Sequence, residues 1–317
     1  MSKSKGFSLV ELAVSLAIIA LLLAGALIPL STQVDVRNSN DTQRSMESIR
    51  DAIYGFAQAN GRLPCPANGG TPAGTVDTTT WPVPITGIAA GAEQWDPSNN
   101  RCYTVFGVLP WATLGVAETD AWGRRLSYRV SSVFADAISP PGAATYESRS
   151  TPALAPPNLA LMSPANQVPL CPSPLVPAPA QSSFALCSLG DIAVFTRGGV
   201  TTTAVPLGTV LPAVVISHGK NGFGAWQTNG IRLNPIPTGN DEAANFNGDM
   251  KATPLPSPPG YQSWAFYSRT RAPRVADCVD PIPGTTDTAP ACEFDDIVLM
   301  ISSSALITRM VAAGRLP

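Results

Sequence analysis

The run from Phe7 to Leu30, FSLVELAVSLAIIALLLAGALIPL, constrains this chain most: 24 residues that hold a single charged side chain, Glu11. As a helix it would extend about 36 Å, enough to cross a hydrocarbon core of roughly 30 Å. Lys3, Lys5 and Gly6 stand before it. The positive-inside tendency then keeps the N-terminus in the cytoplasm and sends everything after Leu30 outward, giving a single pass. A secretory signal peptide fits poorly, because its apolar core runs about 7 to 15 residues to a small-residue cleavage site, and no A-x-A motif closes this run. A plain anchor leaves Glu11 unexplained, since a carboxylate in the apolar core costs about 2 to 3 kcal/mol and normally persists only with a partner.

The segment Lys5-Gly6-Phe7-Ser8-Leu9-Val10-Glu11-Leu12 closely resembles the class III leader of type IV prepilins and type II secretion pseudopilins. The resemblance implies cleavage between Gly6 and Phe7 by a prepilin peptidase and N-methylation at Phe7. It also implies assembly with other pilin or pseudopilin subunits on an inner-membrane platform. Glu11 becomes the fifth residue of the processed chain, where the family pairs it with the N-terminal amine of a neighbouring subunit. A buried ion pair tolerates poor registry badly, so the pair would also help set the axial step between subunits. The expected location is a bacterial inner membrane, with the C-terminal domain periplasmic, and then a filament. The expected role is a structural subunit rather than an enzyme. Size and a proline-rich insertion favour a minor pilin or pseudopilin, and pilus and secretion pseudopilus share the leader and the helix. A competing reading is a pilin-type anchor that presents an adhesion or carbohydrate- or protein-binding module. Retention of a ligand by the isolated domain would favour it.

The expected fold is α+β and pilin-like. A leader (residues 1–6) and an assembly helix (7–30) precede an amphipathic continuation (31–60) and a β-rich domain (61–317). Pro29 is expected to break or kink the helix, as prolines do by removing a backbone donor. Met46, Ile49, Ile53 and Phe56 recur at spacings of 3, 4 and 3, the stripe of a helix facing a core. Gly61 with Pro64 shortly after places the helix end near Asn60. Leu126–Val130, Asp191–Thr196, Ala213–Ser217, Ser263–Ser268 and Asp296–Ile301 read as strands of an antiparallel sheet packed on the helix. Residues 139–181 hold eleven prolines, too many for a regular element, and read as an extended insertion or a linker between lobes. Ala305–Ala313 reads as a short terminal helix. Gly61-Arg62-Leu63-Pro64 recurs as Gly314-Arg315-Leu316-Pro317, two helix ends with the same stop chemistry.

The net charge of −2 comes with no basic run beyond the first five residues, so nucleic acid is not an expected partner. Once residues 1–6 are removed, 18 basic residues stand against 22 acidic ones, a charge of −4. The six cysteines Cys65, Cys102, Cys171, Cys187, Cys278 and Cys292 form no C-x-x-C pair, and His218 is the only histidine, which argues against zinc. Beyond a membrane span they fit periplasmic disulfides, in any of 15 pairings. Close spacing favours Cys171 with Cys187 and Cys278 with Cys292, leaving Cys65 with Cys102.

Asp120-Ala121-Trp122-Gly123, followed by Tyr128, resembles the D-P-W-G stretch of major pseudopilins, with Ala121 in place of the family proline. Its expected role is structural, a turn whose glycine takes an angle other residues resist. Those pseudopilins hold calcium in the loop that follows, where this chain has Arg124 and Arg125 and no matching carboxylates. No cofactor is expected. The one weak calcium candidate is the loop bearing Asp241, Asn245, Asn247 and Asp249, whose alternate oxygens and Gly248 could wrap a hard cation; it lacks EF-hand spacing, and a polar turn is the competing reading. Glu293, Asp295 and Asp296 read as a solvated strand entrance. Ser217 beside His218 invites a hydrolase reading, but adjacent strand residues point to opposite faces and G-x-S-x-G is absent. His218 is expected to satisfy backbone groups of the glycine-rich turn after its strand. Trp81, Trp95, Trp111, Trp226 and Trp264 could form a sugar-binding surface, though core packing is their commoner fate.

Overall fold

The computed structural model describes residues 9–79, 85–97, 101–135, 182–184, 186, 188, 190–197, 204–233, 239–247, 264–280 and 290–316, without the side chains of 21–32, 79, 85, 86 and 247. Gly6, Phe7, Trp81, the proline-rich segment at 139–181, Cys171, Cys187 and Asp249 therefore lie outside the described residues. In chain order the elements begin with α1 (Leu9–Asn60), β1 (Val76–Thr79), β2 (Ile85–Ala89), β3 (Trp95–Asp96), β4 (Arg101–Cys102), β5 (Phe106–Val108), α2 (Trp111–Leu114), β6 (Ser127–Val130) and α3 (Ser132–Ala135). They continue with β7 (Ile192–Thr196), β8 (Val205–Leu211), β9 (Ala213–Ser217), α4 (Asn240–Asn247), β10 (Trp264–Tyr267), β11 (Ile297–Ile301) and α5 (Ser303–Ala312).

The helix α1 is continuous through Pro29, so the proline does not break it. A proline removes one donor and presses on the carbonyl four residues back. Here that carbonyl belongs to Gly25, where the backbone yields most easily. The helix stops at Asn60 because Gly61 turns left-handed at φ 72°. Met46, Ile49, Ile53, Tyr54 and Ala57 are buried in one core with Leu126, Tyr128, Val130, Ala213, Val215, Ile301, Leu306 and Met310. Phe56 is half-buried.

A central antiparallel sheet of order β11-β9-β6-β5 carries the α1 side of this core, with Val215 of β9 opposite Tyr128 of β6 and Leu299 of β11. All five residues of β9 are buried, as expected for a strand covered on both faces. Its other face, Val214 and Ile216, joins Ile192, Val194, Trp264 and Phe266 of a second sheet of order β10-β7-β8. The alternate residues Ala193, Phe195, Ala265 and Tyr267 then pack with Ala244 of α4 and with Phe294. The strand period of two thus builds a stack of helix, sheet, sheet and helix. The second sheet corrects the all-antiparallel expectation, because β10 runs parallel to β7. A parallel neighbour needs a long crossover, and β8, β9 and α4 lie between these two strands in the chain.

Disulfides join Cys65 to Cys102 and Cys278 to Cys292, with Cα–Cα distances of 5.4 and 4.8 Å. Trp111 and Trp264 are buried, and Trp95 and Trp226 are half-buried. The four described members of the suspected aromatic surface are therefore spent largely on packing.

Candidate functional site

Two regions carry chemistry that the core does not absorb. The first is the start of α1. Leu9 is 87% exposed, Val10 71% and Ile19 51%, with Leu12, Val14, Leu16 and Ile18 between these limits. Glu11 lies in the first turn, and its main-chain carbonyl accepts the Ser15 hydroxyl at 2.7 Å. A helix that leaves large apolar side chains uncovered over three turns is shaped for a hydrophobic surround or a partner. Among the described residues, no helix is long and apolar enough to cross a membrane; the side chains of 21–32 fall outside that statement.

The second region lies where α4 meets the entry to β11. The segment expected as a calcium loop is helical from Asn240 through Asn247, and of its candidate residues Asp241 and Asn245 are described with their side chains. Asp241 instead faces Arg197 at 2.7 Å and Arg269 at 2.9 Å, while Asp280 sits 3.2 Å from Arg269. Two acids are balanced by two guanidinium groups. Burial, then Asp280, pushes the Asp241 carboxyl up to about 6, against the opposing pull of Arg197 and Arg269. Asn245 closes on the end of β10: its amide donates to the Tyr267 carbonyl at 2.9 Å, and its side-chain oxygen accepts the Tyr267 N–H at 2.8 Å. The same amide donates to Asp296 Oδ2 at 2.8 Å. The side chain of Asn247 and all of Asp249 lie outside the described residues.

Glu242, the residue after Asp241 in α4, converges with other acids instead. One oxygen from each of Glu242, Asp295 and Asp296 lies within 4.8 Å of the other two. Asp296 is buried and Asp295 and Glu293 are half-buried, which corrects the expectation of a solvated strand entrance. Burial, then the charge of Asp296, pushes the Glu242 carboxyl up to about 9. Burial pushes Asp295 up to about 6. Three carboxyls in one low-dielectric place cannot all ionise without a countercharge. The D-E doublet that opens α4 and the D-D doublet before β11 were the only sequence signals, and 53 residues separate Glu242 from its backbone donor Asp295.

His218 lies beside this group. Its Nε2 is 2.8 Å from Ser127 Oγ, and its Nδ1 is 3.7 Å from Asp296 Oδ1, so the ring reaches across the sheet rather than into the turn after β9. Ser217 turns away, as strand alternation requires, and donates to Asp120 Oδ2 at 2.7 Å. Ser127, His218 and Asp296 stand in the order of a hydrolytic triad, but 3.7 Å is too long for a hydrogen bond. Ser127 is 3% exposed inside the central sheet, and a substrate carbonyl would reach its Oγ only if strands parted. The D-A-W-G segment is a turn fixed by Asp120, whose Oδ1 accepts the Trp122 and Arg124 N–H groups at 2.9 and 3.0 Å. Gly123 takes φ 77° there, and the Ala121 N–H donates to Thr42 of α1 at 3.2 Å.

Residues 1–27 match the family model described as the prokaryotic N-terminal methylation motif, the class III leader of type IV pilins and pseudopilins. Neither curated proteins nor solved structures give a match to the chain.

Proposed function

We propose that the chain is a filament subunit, a minor pilin or minor pseudopilin. On this reading a prepilin peptidase cuts it between Gly6 and Phe7, the new terminus at Phe7 is methylated, and the subunit assembles through α1. Residues 7–30 span the inner membrane with the N-terminus cytoplasmic, and the sheets and α5 lie in the periplasm until extraction. The observation that carries the reading is the conjunction of the leader at residues 1–27 with an apolar helix start that stays more than half exposed among the described residues. Lipid covers such a surface before assembly and neighbouring helices cover it afterwards. Glu11 is the one carboxylate on that surface, and the N-terminal amine of the next subunit is the cation that makes its burial tolerable.

Intact-mass and N-terminal analysis of the chain, expressed with and without a prepilin peptidase, tests the reading. The product is expected to begin at Phe7 only when the peptidase is present, and Gly6→Ala should block the cut. Glu11→Ala should still be cleaved but should be depleted from filaments. Persistence of residues 1–6 alongside an active peptidase, or a cut beyond Leu30, would sink the filament assignment.

A further inference from the structure

The structure assigns a calcium site to the junction of α4 with the entry to β11, held by Glu242, Asp295 and Asp296; the inference does not depend on the N-terminal reading. Two independent observations lead there. The first is the convergence itself, with one oxygen of each carboxylate within 4.8 Å of the others. The second is a division of labour within each carboxylate. Glu242 Oε1 accepts the Asn221 side-chain amide at 2.9 Å and the Asp295 N–H at 3.0 Å. Asp295 Oδ2 accepts the Asn221 N–H at 2.8 Å, and Asp296 Oδ2 accepts Asn245 at 2.8 Å. The remaining oxygens, Glu242 Oε2, Asp295 Oδ1 and Asp296 Oδ1, are buried and have no hydrogen-bond partner among the described residues. Glu242 is only 1% exposed and Asp296 5%, so water does not solvate them as it would at a surface.

A buried carboxylate oxygen without a donor is costly. Here three occur together, each on a carboxylate whose other oxygen is pinned by protein donors. That is the arrangement of a metal site, in which outer hydrogen bonds orient the ligands and leave one oxygen of each for the ion. The donor set is all oxygen and anionic, which selects a hard cation over zinc or copper. Three carboxylates of the chain itself, all within 4.8 Å of one another, suit calcium, whereas magnesium is usually held by one or two carboxylates and keeps several waters. The turn after β9 is shaped to allow the approach: a Cβ on Gly219 would stand 2.7 Å from Asp295 Cγ and 2.8 Å from its Oδ1. An ion here would tie α4, the Asn221 turn and β11 together.

The test uses the full chain in detergent micelles, stripped with EDTA and titrated calorimetrically with calcium chloride, with magnesium chloride and ionic-strength-matched sodium chloride as parallel arms. One saturable calcium site per chain is expected, with the thermal midpoint raised by several degrees at a calcium concentration about 100-fold above Kd. Glu242→Gln and Asp296→Asn should each weaken calcium at least tenfold, whereas Glu47→Gln on the exposed face of α1 should leave it unchanged. Both test variants remove charge from a crowded acid group, so neither strands a new buried charge; the unmodified chain decides even if they fail to fold. Absence of saturable calcium heat, or calcium binding unchanged in both variants, overturns the proposal. Magnesium binding as tight as calcium overturns the choice of ion.

Discussion

Arg125 ties three loops together, at residues 69–71, at Glu118 and at Thr228. It is fully buried, and its guanidinium donates to Glu118 Oε1 from Nε and Nη2 at 3.0 and 2.8 Å. It also donates to the carbonyls of Gly69 and Thr71, both at 2.8 Å, and of Thr228 at 3.1 Å. The same group lies 4.5 Å from the Trp111 ring centroid. Planar, forked donation of this kind is what lysine cannot supply. Arg125→Lys is expected to destabilise the chain by about 2 to 4 kcal/mol, read as a lower urea midpoint; an unchanged midpoint would remove Arg125 from this role. In the sequence the Arg124-Arg125 pair shows only that carboxylates are lacking after D-A-W-G. Its carbonyl partners stand 54, 56 and 103 residues away in the chain, and no local pattern encodes such distances. Glu242 was hidden for the same reason. Gly219 could be read only as a turn residue, although its lack of a side chain is what admits Asp295.

At the scale of elements, α1 and α5 finish one another. Gly314 takes φ 69° after α5, as Gly61 takes φ 72° after α1, and Leu63 and Leu316 both enter the main core. The repeated G-R-L-P therefore does mark two similar helix ends, but its arginines diverge. Arg62 forms a paired contact with Glu93, at 2.8 Å from each nitrogen. Arg315 reaches across to accept-only groups at the end of α1, the carbonyls of Gln58 and Ala59, at 2.8 and 2.5 Å. Such carbonyls have no partner within their own helix. Arg315→Ala should cost about 1 kcal/mol. Ile53→Ala, which empties the centre of the stripe, should cost about 2 to 5 kcal/mol. Both are measurable as denaturation midpoints, and a larger loss for Arg315 than for Ile53 would reverse this account of what holds α1. The stripe, the stop at Asn60 and the five strands were legible because apolar period and turn residues are local properties. The helix α4 was not. Its eight residues present no stripe, and contacts made by Ala244 and Asn245 with β10 hold it.

Across the whole molecule, the layers and the cross-links address different weaknesses. Among the described residues the start of α1 is left exposed, so the folded domain rests on the helix from Thr42 onward, where the buried Thr42 accepts the Ala121 N–H, and on the two sheets. The Cys65–Cys102 bridge lies inside that main core and closes a span of 37 residues, whereas Cys278–Cys292 closes 14. In the chain-entropy account, closures of these lengths contribute about 4 and about 3 kcal/mol respectively. The first bridge ties the segment leaving α1 to β4, and the second holds the loop around Asp280, whose carboxylate accepts the Cys292 N–H at 3.0 Å and pairs with Arg269. Replacing Cys65 and Cys102 together by serine should therefore lower the thermal midpoint of the whole domain. Replacing Cys278 and Cys292 should lower it less and should mainly raise amide exchange around α4 and residues 264–280. Hydrogen exchange by mass spectrometry on the two double variants separates these outcomes. Equal and global loss of protection in both would mean that the two sheets and α4 unfold as one cooperative unit, with no separable α4 region.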